Sequence, residues 1–156
     1  MAENAFAEFE RRGWEQAAAD YEACWSDTAL FIEPLLDAAA VGAGTRLLDI
    51  ACGPGLVSEA AAARGGDPVG IDFAPAMVAR ARMRCPGLTF LEGDAHRLPF
   101  ADGEFGAVTM NFGILHLSEP EVAIAPWRIV GFEVTPVTPS RTSAASSPVR
   151  MRSRDR

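Results

Sequence analysis

Asp49, Gly53 and Gly55 stand in the run Leu47-Leu48-Asp49-Ile50-Ala51-Cys52-Gly53-Pro54-Gly55, where an apolar stretch ends in an acid and a glycine turn follows at once. A helical pattern begins at Leu56. A strand, a tight turn and a helix start bring backbone N–H groups to one point, which suits a polar small molecule. Gly53 and Gly55 withhold side chains where a ligand must approach the backbone, and Pro54 stiffens the turn between them. The acid selects among ligands: a phosphate gains nothing from a carboxylate beside it, whereas a cationic amino group does. Read as G-x-G-x-x-G, the third position is Ser58, so the dinucleotide fingerprint is incomplete.

The elements that must position this turn follow from the surrounding pattern. Val69-Gly70-Ile71-Asp72 reads as a second strand ending in an acid, 17 residues past Gly55. That is close to the roughly 20-residue spacing at which a carboxylate meets ribose hydroxyls in βαβ nucleotide sites. Leu88–Ala95 reads as a third strand ending in Gly93-Asp94-Ala95, and Ala107–Asn111 as a fourth. Helical stretches are predicted over 3–23, 29–40 (perturbed at Pro34 and closed by Gly42), 56–64 and 75–83. Pro75 suits a first helical turn, and Ser118-Glu119-Pro120-Glu121 has capping-box spacing, with Pro126 expected to cut or kink the helix that follows. The alternation of strands and helices predicts an α/β fold, a Rossmann-like parallel sheet with flanking helices.

With Asp49, Ala51, Gly53 and Gly55 as acid-x-small-x-Gly-x-Gly, and the three later motifs in order, residues 20–130 resemble the class I S-adenosylmethionine-dependent methyltransferases. The similarity is to small-molecule enzymes of the ubiquinone/menaquinone-biosynthesis C-methyltransferase type. The resemblance implies a small-molecule methyl acceptor and S-adenosylmethionine as cofactor. It also implies site roles. Asp49 and the turn from Gly53 to Gly55 would hold the methionine end. Asp72 would accept from the ribose hydroxyls, and Phe73 and Met77 would pack on the adenine. Asp94 would accept from the adenine amino group with the Ala95 N–H beside it, and Asn111 and Phe112 would sit near the sulfonium. Where the family usually places Ser, Ala74 stands, so a capping side chain is missing.

No dedicated catalytic residue is required for transfer of an already activated methyl group; placement and desolvation suffice. His116, just past the fourth strand, is the weak candidate for a general base, against a packing role. Tyr21 and Trp25 are candidates to close over the cofactor, against simple packing. Three scattered cysteines form neither a disulfide framework nor a zinc pattern, so no metal is expected and a reducing cytoplasm is. The first residues carry no signal-peptide pattern, and no apolar run reaches the roughly 18 residues of a membrane span.

The family pattern breaks near residue 131. Seven strands are expected of the fold; the sequence signals four, with Ile129–Val134 as a possible fifth. Residues 1–130 therefore read as the cofactor-binding domain with N-terminal helices, and 131–156 as a divergent, disordered tail rich in Ser, Thr, Pro and Arg. The abrupt change in composition reads as an out-of-frame tail, with a natural short form as the alternative. Residues 128–156 hold six arginines and two acids, whereas the body holds eight arginines and 19 acids. So acidic a body argues against nucleic acid as a specific partner. Three readings stay open: a small-molecule methyltransferase, a truncated cofactor-binding fragment without turnover, and a nicotinamide-dependent oxidoreductase.

Overall fold

The structure, a computed structural model, describes residues 5–18, 21, 28–124, 132–136 and 149–153. Four strands, β1 (Arg46–Ile50), β2 (Asp67–Asp72), β3 (Thr89–Glu92) and β4 (Ala107–Thr109), form one parallel sheet in the order β3-β2-β1-β4. Parallel neighbours need crossovers, and α3 (Leu56–Ala63) and α4 (Pro75–Arg84) supply them between β1, β2 and β3. The chain then returns past β2 to lay β4 on the other side of β1. The strand order reverses at β1, so a crevice opens at the carboxyl ends of β1 and β4, the usual ligand position in open α/β sheets.

Side-chain alternation along β1 divides the core. Leu47 packs with Val57 and Ala61 of α3 and with Ile32, Leu35 and Leu36 of α2 (Ile32–Ala38). Leu48 and Ile50 point to the other face, against Ile71, Phe105 and Val108. Gly70 is needed between the layers: a Cβ there would lie 2.5 Å from Phe90 Cδ1 and 2.9 Å from Cys52 Sγ. The N-terminal α1 (Ala5–Ala17) reaches the sheet end through Trp14, which packs beside Ala18, Ala74 and Met77. No helix among the described residues is long and apolar enough to cross a membrane.

Several element bounds differ from expectation. The first helix covers Ala5–Ala17, and residues 3–4, 19–20 and 22–23 of the expected stretch lie outside the described residues; α2 is shorter than 29–40. Pro34 does not perturb α2, because it occupies the third helical position, where an N–H has no intrahelical acceptor to lose. β2 starts two residues early, at Asp67, while β3 and β4 are shorter than expected and end before Gly93 and Met110. Gly113–His116 form a 3-10 turn, and α5 (Pro120–Ile124) begins two residues after Ser118. Pro126 lies outside the described residues.

The C-terminal segment departs most. The expected fifth strand forms as β5 (Phe132–Pro136), but it pairs antiparallel with β6 (Val149–Ser153) in a separate two-stranded sheet. Composition predicted no order here. Pairing of Phe132 with Ser153 through Pro136 with Val149 gives each strand ladder partners that neither has alone. The rest of the expected tail lies outside the described residues. Four strands in the main sheet agree with the incomplete Rossmann-like fold.

Candidate functional site

A cavity of about 500 Å³ opens at the carboxyl ends of the strands. Its sheet-side wall is Ala51 and Gly53 after β1, Asp72, Phe73 and Met77 after β2, and Asp94 and Ala95 after β3. Asn111, Phe112 and His116, beyond β4, line it too, as do Trp14 and Tyr21 from the N-terminal region. The backbone after β1 is bent to make this room. Gly53 has φ +52 and Gly55 φ +86, both left-handed, and Ala51 adopts φ +53 despite its Cβ. A Cβ on Gly53 would meet only the Tyr21 hydroxyl, at 3.9 Å, so this backbone faces space rather than packing.

Asp72 fixes the turn. It is 6% exposed; its Oδ2 accepts from Gly53 N–H at 2.8 Å and its Oδ1 from Ala74 N–H at 2.9 Å. Burial raises its pKa, against the opposing pull of these backbone donors. Ala74 begins α4 with no capping side chain, and Asp72, two residues upstream, takes its N–H instead.

Asp49 behaves differently. It is 1% exposed and does not line the cavity. Its Oδ2 accepts from the Ser58 hydroxyl at 2.8 Å and its Oδ1 from the Thr109 hydroxyl at 3.2 Å, with the Ser58 backbone N–H donating as well. Gly55, the N-cap of α3, has no side chain to offer, so Asp49 serves the helix start from the neighbouring strand. Burial pushes its pKa up to about 7 despite those donors, with Asp72 adding a smaller push. Gly55 also lies off the cavity, where a Cβ would press on Phe90 and Ala81 at 3.0–3.2 Å. Cys52 is no nucleophile: burial, then Asp49 and Asp72, hold its thiol well above the ordinary value.

After β3, Asp94 Oδ1 accepts from the His96 backbone N–H at 2.9 Å and meets His96 Nδ1 at 2.8 Å. Burial alone would raise Asp94, but these bonds outweigh it and its pKa falls. His96 Nε2 is buried without a partner among the described residues. Asn111 Nδ2 donates to Thr28 O at 3.3 Å, and Phe112, at φ +64, meets Phe31 edge to face with centroids 5.3 Å apart. His116 is held by Glu10, with Nδ1 2.7 Å from its Oε2, and its ring stands edge-on to Trp14 at 4.8 Å.

The sequence model of a family described as "Methyltransferase domain" matches residues 47–130. The chain belongs to this family. A demethylmenaquinone methyltransferase of Beutenbergia cavernae is 50% identical over 88 residues, covering 56% of this chain and 36% of that protein. An uncharacterized protein of Mycobacterium tuberculosis is 37% identical over 120 residues, 68% of this chain and 44% of its own length. The chain thus spans about a third of the length of the first demethylmenaquinone methyltransferases it matches. Among solved structures, a TehB-like SAM-dependent methyltransferase of Corynebacterium glutamicum shares the fold, with TM-score 0.68 at 18% identity, covering 88% of this chain and 98% of that one.

In this methyltransferase domain, nine of the eleven expected cofactor-site residues line one cavity, as does His116. Asp49 and Gly55 do not. Tyr21 lines the cavity and packs against the Ala18, Ala74 and Met77 cluster, and Trp25 lies outside the described residues. Trp14, Glu10 and His96 were not singled out for the site. Trp14 had a signal, its place on the apolar face of the first helix. Glu10 had none, because its partner is 106 positions away.

Proposed function

We propose that this methyltransferase domain binds S-adenosylmethionine in the cavity at the strand ends and transfers its methyl group to a small molecule. The observation that carries this is Asp72: a carboxylate on the cavity wall, tied to the bare backbone of Gly53, with Phe73 and Met77 beside it. The donor set fits a nucleoside joined to an amino acid. Asp72 accepts from the ribose hydroxyls, Phe73 and Met77 pack on the adenine, and Asp94 with the Ala95 N–H takes its polar edge. Ala51 and Gly53 leave room for the methionine end, and Asn111 and Phe112 border the reacting methyl. Asp49 and Gly55 act from behind, by holding the turn and the start of α3 in shape. The bound cofactor supplies an electrophilic methyl carbon. The chain's residues supply orientation and exclusion of water.

The demethylmenaquinone methyltransferases among the relatives support a small, apolar acceptor. The buried thiols of Cys52 and Cys85 support a reducing, cytoplasmic setting. Calorimetry of the purified chain tests the reading. S-adenosylhomocysteine is expected to bind, NAD is not, and Gly53→Val is expected to abolish uptake, because a β-branched side chain resists φ +52 and enters the ligand's space. A folded Gly53→Val protein that binds with unchanged affinity overturns the assignment.

A further inference from the structure

We propose that Glu10 and His116 form a proton-accepting dyad at the mouth of the cavity, poised for an acceptor with an acidic hydroxyl of the phenol type. The inference rests on the methyltransferase reading above and names the acceptor chemistry of that site.

His116 lines the cavity and joins the Glu10 carboxylate through Nδ1 at 2.7 Å. A carboxylate only accepts, so Nδ1 carries the proton, and in the neutral ring Nε2 carries the lone pair. Trp14 fixes the ring plane by its edge-on contact, and Glu10, on the same helix, fixes the rotation within that plane. Glu10 is well sheltered, with 16% of its side chain exposed, which strengthens its hold on the ring. The arrangement has the form in which a carboxylate sets a histidine tautomer and leaves the second nitrogen as base. His96 is also held by an acid, Asp94, but its Nε2 is closed off from solvent. The His116 side chain is 35% exposed on the cavity, and its Nε2 is not among the buried atoms without a partner in the described residues.

The surroundings of His116 choose the ligand. Trp14, Tyr21 and Phe112 offer aromatic faces on the same cavity. A flat ring with a hydroxyl suits them. In the step, the acceptor's O–H bond breaks and its proton moves to His116 Nε2. The oxygen's electron pair forms the bond to the methyl carbon while the carbon–sulfur bond breaks, its pair remaining on sulfur. The imidazolium then returns the proton to water. His116 is the catalytic residue of this step, and Glu10 is a positioning residue.

Two readouts that need no turnover test the dyad. First, nitrogen NMR of the imidazoles, assigned by the loss of signals in His116→Gln, is expected to show the Nδ1–H tautomer in the wild type. Glu10→Gln, whose carbonyl still accepts, is expected to keep it, and Glu10→Leu to lose it. Second, 4-nitrophenol added to the complex with S-adenosylhomocysteine, at a pH below the probe's own pKa, is expected to show the phenolate absorbance. Glu10→Leu and His116→Gln are each expected to cut that signal by about tenfold or more, with homocysteine-cofactor affinity unchanged. An Nε2–H tautomer in the wild type, or a phenolate band that is absent or that survives His116→Gln, overturns the proposal. Failure of S-adenosylhomocysteine to bind instead overturns the cofactor reading, while the tautomer measurement still judges the dyad.

Discussion

The carboxyl ends of β1 and β2 are written in the same letters, an apolar strand closed by an aspartate, yet the two acids do opposite things. Asp72 faces the cavity and spends both oxygens on backbone N–H groups of the two turns that shape it. Asp49 turns away, between Gly70 and Thr109 in the sheet, and spends its oxygens on hydroxyls and the start of α3. The difference comes from the parity of the strand. Asp49 shares the α3 side with Leu47, so it meets Ser58 of the helix that follows and Thr109 of the adjacent β4. Asp72 is the last residue of β2, where the strand gives way to a turn and both oxygens find loop backbone. An acid at a strand end is therefore not by itself a ligand group; its facing decides.

The strongest way to break this comparison is to remove Asp72. In Asp72→Ala, the Gly53 and Ala74 N–H groups lose their acceptor, and stability is expected to fall by about 1–3 kcal/mol after allowing for the burial cost the carboxylate itself bears. Affinity for S-adenosylmethionine is expected to weaken by a further ~1–3 kcal/mol, as hydrogen bonds from ribose vanish. Denaturant melts and calorimetry on the folded variant check both. If the variant binds as well as the wild type, Asp72 is only a turn residue, and the two strand ends are alike after all.

Much of the sheet-side wall was legible because it is local. The turn at Gly53, the acid at Asp72 and the pair Asp94-Ala95 each lie within a few residues of the strand that carries them, and their order along the chain is their order around the cavity. The facing of Asp49 was not legible, since its partner Thr109 is 60 positions away and joins it only through the pairing of β1 with β4. The part of the cavity beyond β4 was illegible for the same reason: Glu10 meets His116 from 106 positions away in the chain, and Trp14 comes from the same N-terminal helix. The β5–β6 pairing was not expected because the short alternations Phe132-Glu133-Val134-Thr135 and Val149-Arg150-Met151-Arg152 stand in a segment rich in Ser, Thr, Pro and Arg, and a strand partner so far along the chain leaves no local signal.

Asp49→Asn sharpens the comparison from the other side. The native carboxyl has a pKa of about 7, against an ordinary 3.8. Between those values the folded chain keeps a proton that the unfolded chain has released. The contribution to stability is thus full below pH ~4, falls as pH rises toward ~7, and is gone beyond it. Asparagine keeps the shape without the buried charge, and the Ser58 and Thr109 hydroxyls can turn to suit it. The variant is expected to be more stable than the wild type by about 1–2 kcal/mol at pH 8 and to lose most of the decline between pH 4 and 7. Its affinity for the cofactor is expected to change less than about twofold, because Asp49 does not line the cavity. Thermal melts across pH, paired with calorimetry, read both; a large loss of affinity returns Asp49 to the ligand site.

The smallest effect belongs to Ala51, the residue between the two acids' territories. It holds φ +53 with a Cβ in place. The left-handed conformation costs a residue with a Cβ about 1–2 kcal/mol, and Ala51→Gly removes that cost while freeing the unfolded chain. The net gain expected is about 0.5–1 kcal/mol in a denaturant melt. A limit on the change comes from the packing: the Ala51 Cβ sits where a Cβ on Gly113 would come within 2.5 Å, so Ala51 and Gly113 share one small space between β1 and the 3-10 turn. If Ala51→Gly destabilises the protein instead, that contact outweighs the backbone strain, and the end of β1 is held by packing against the region after β4 rather than by Asp49 alone.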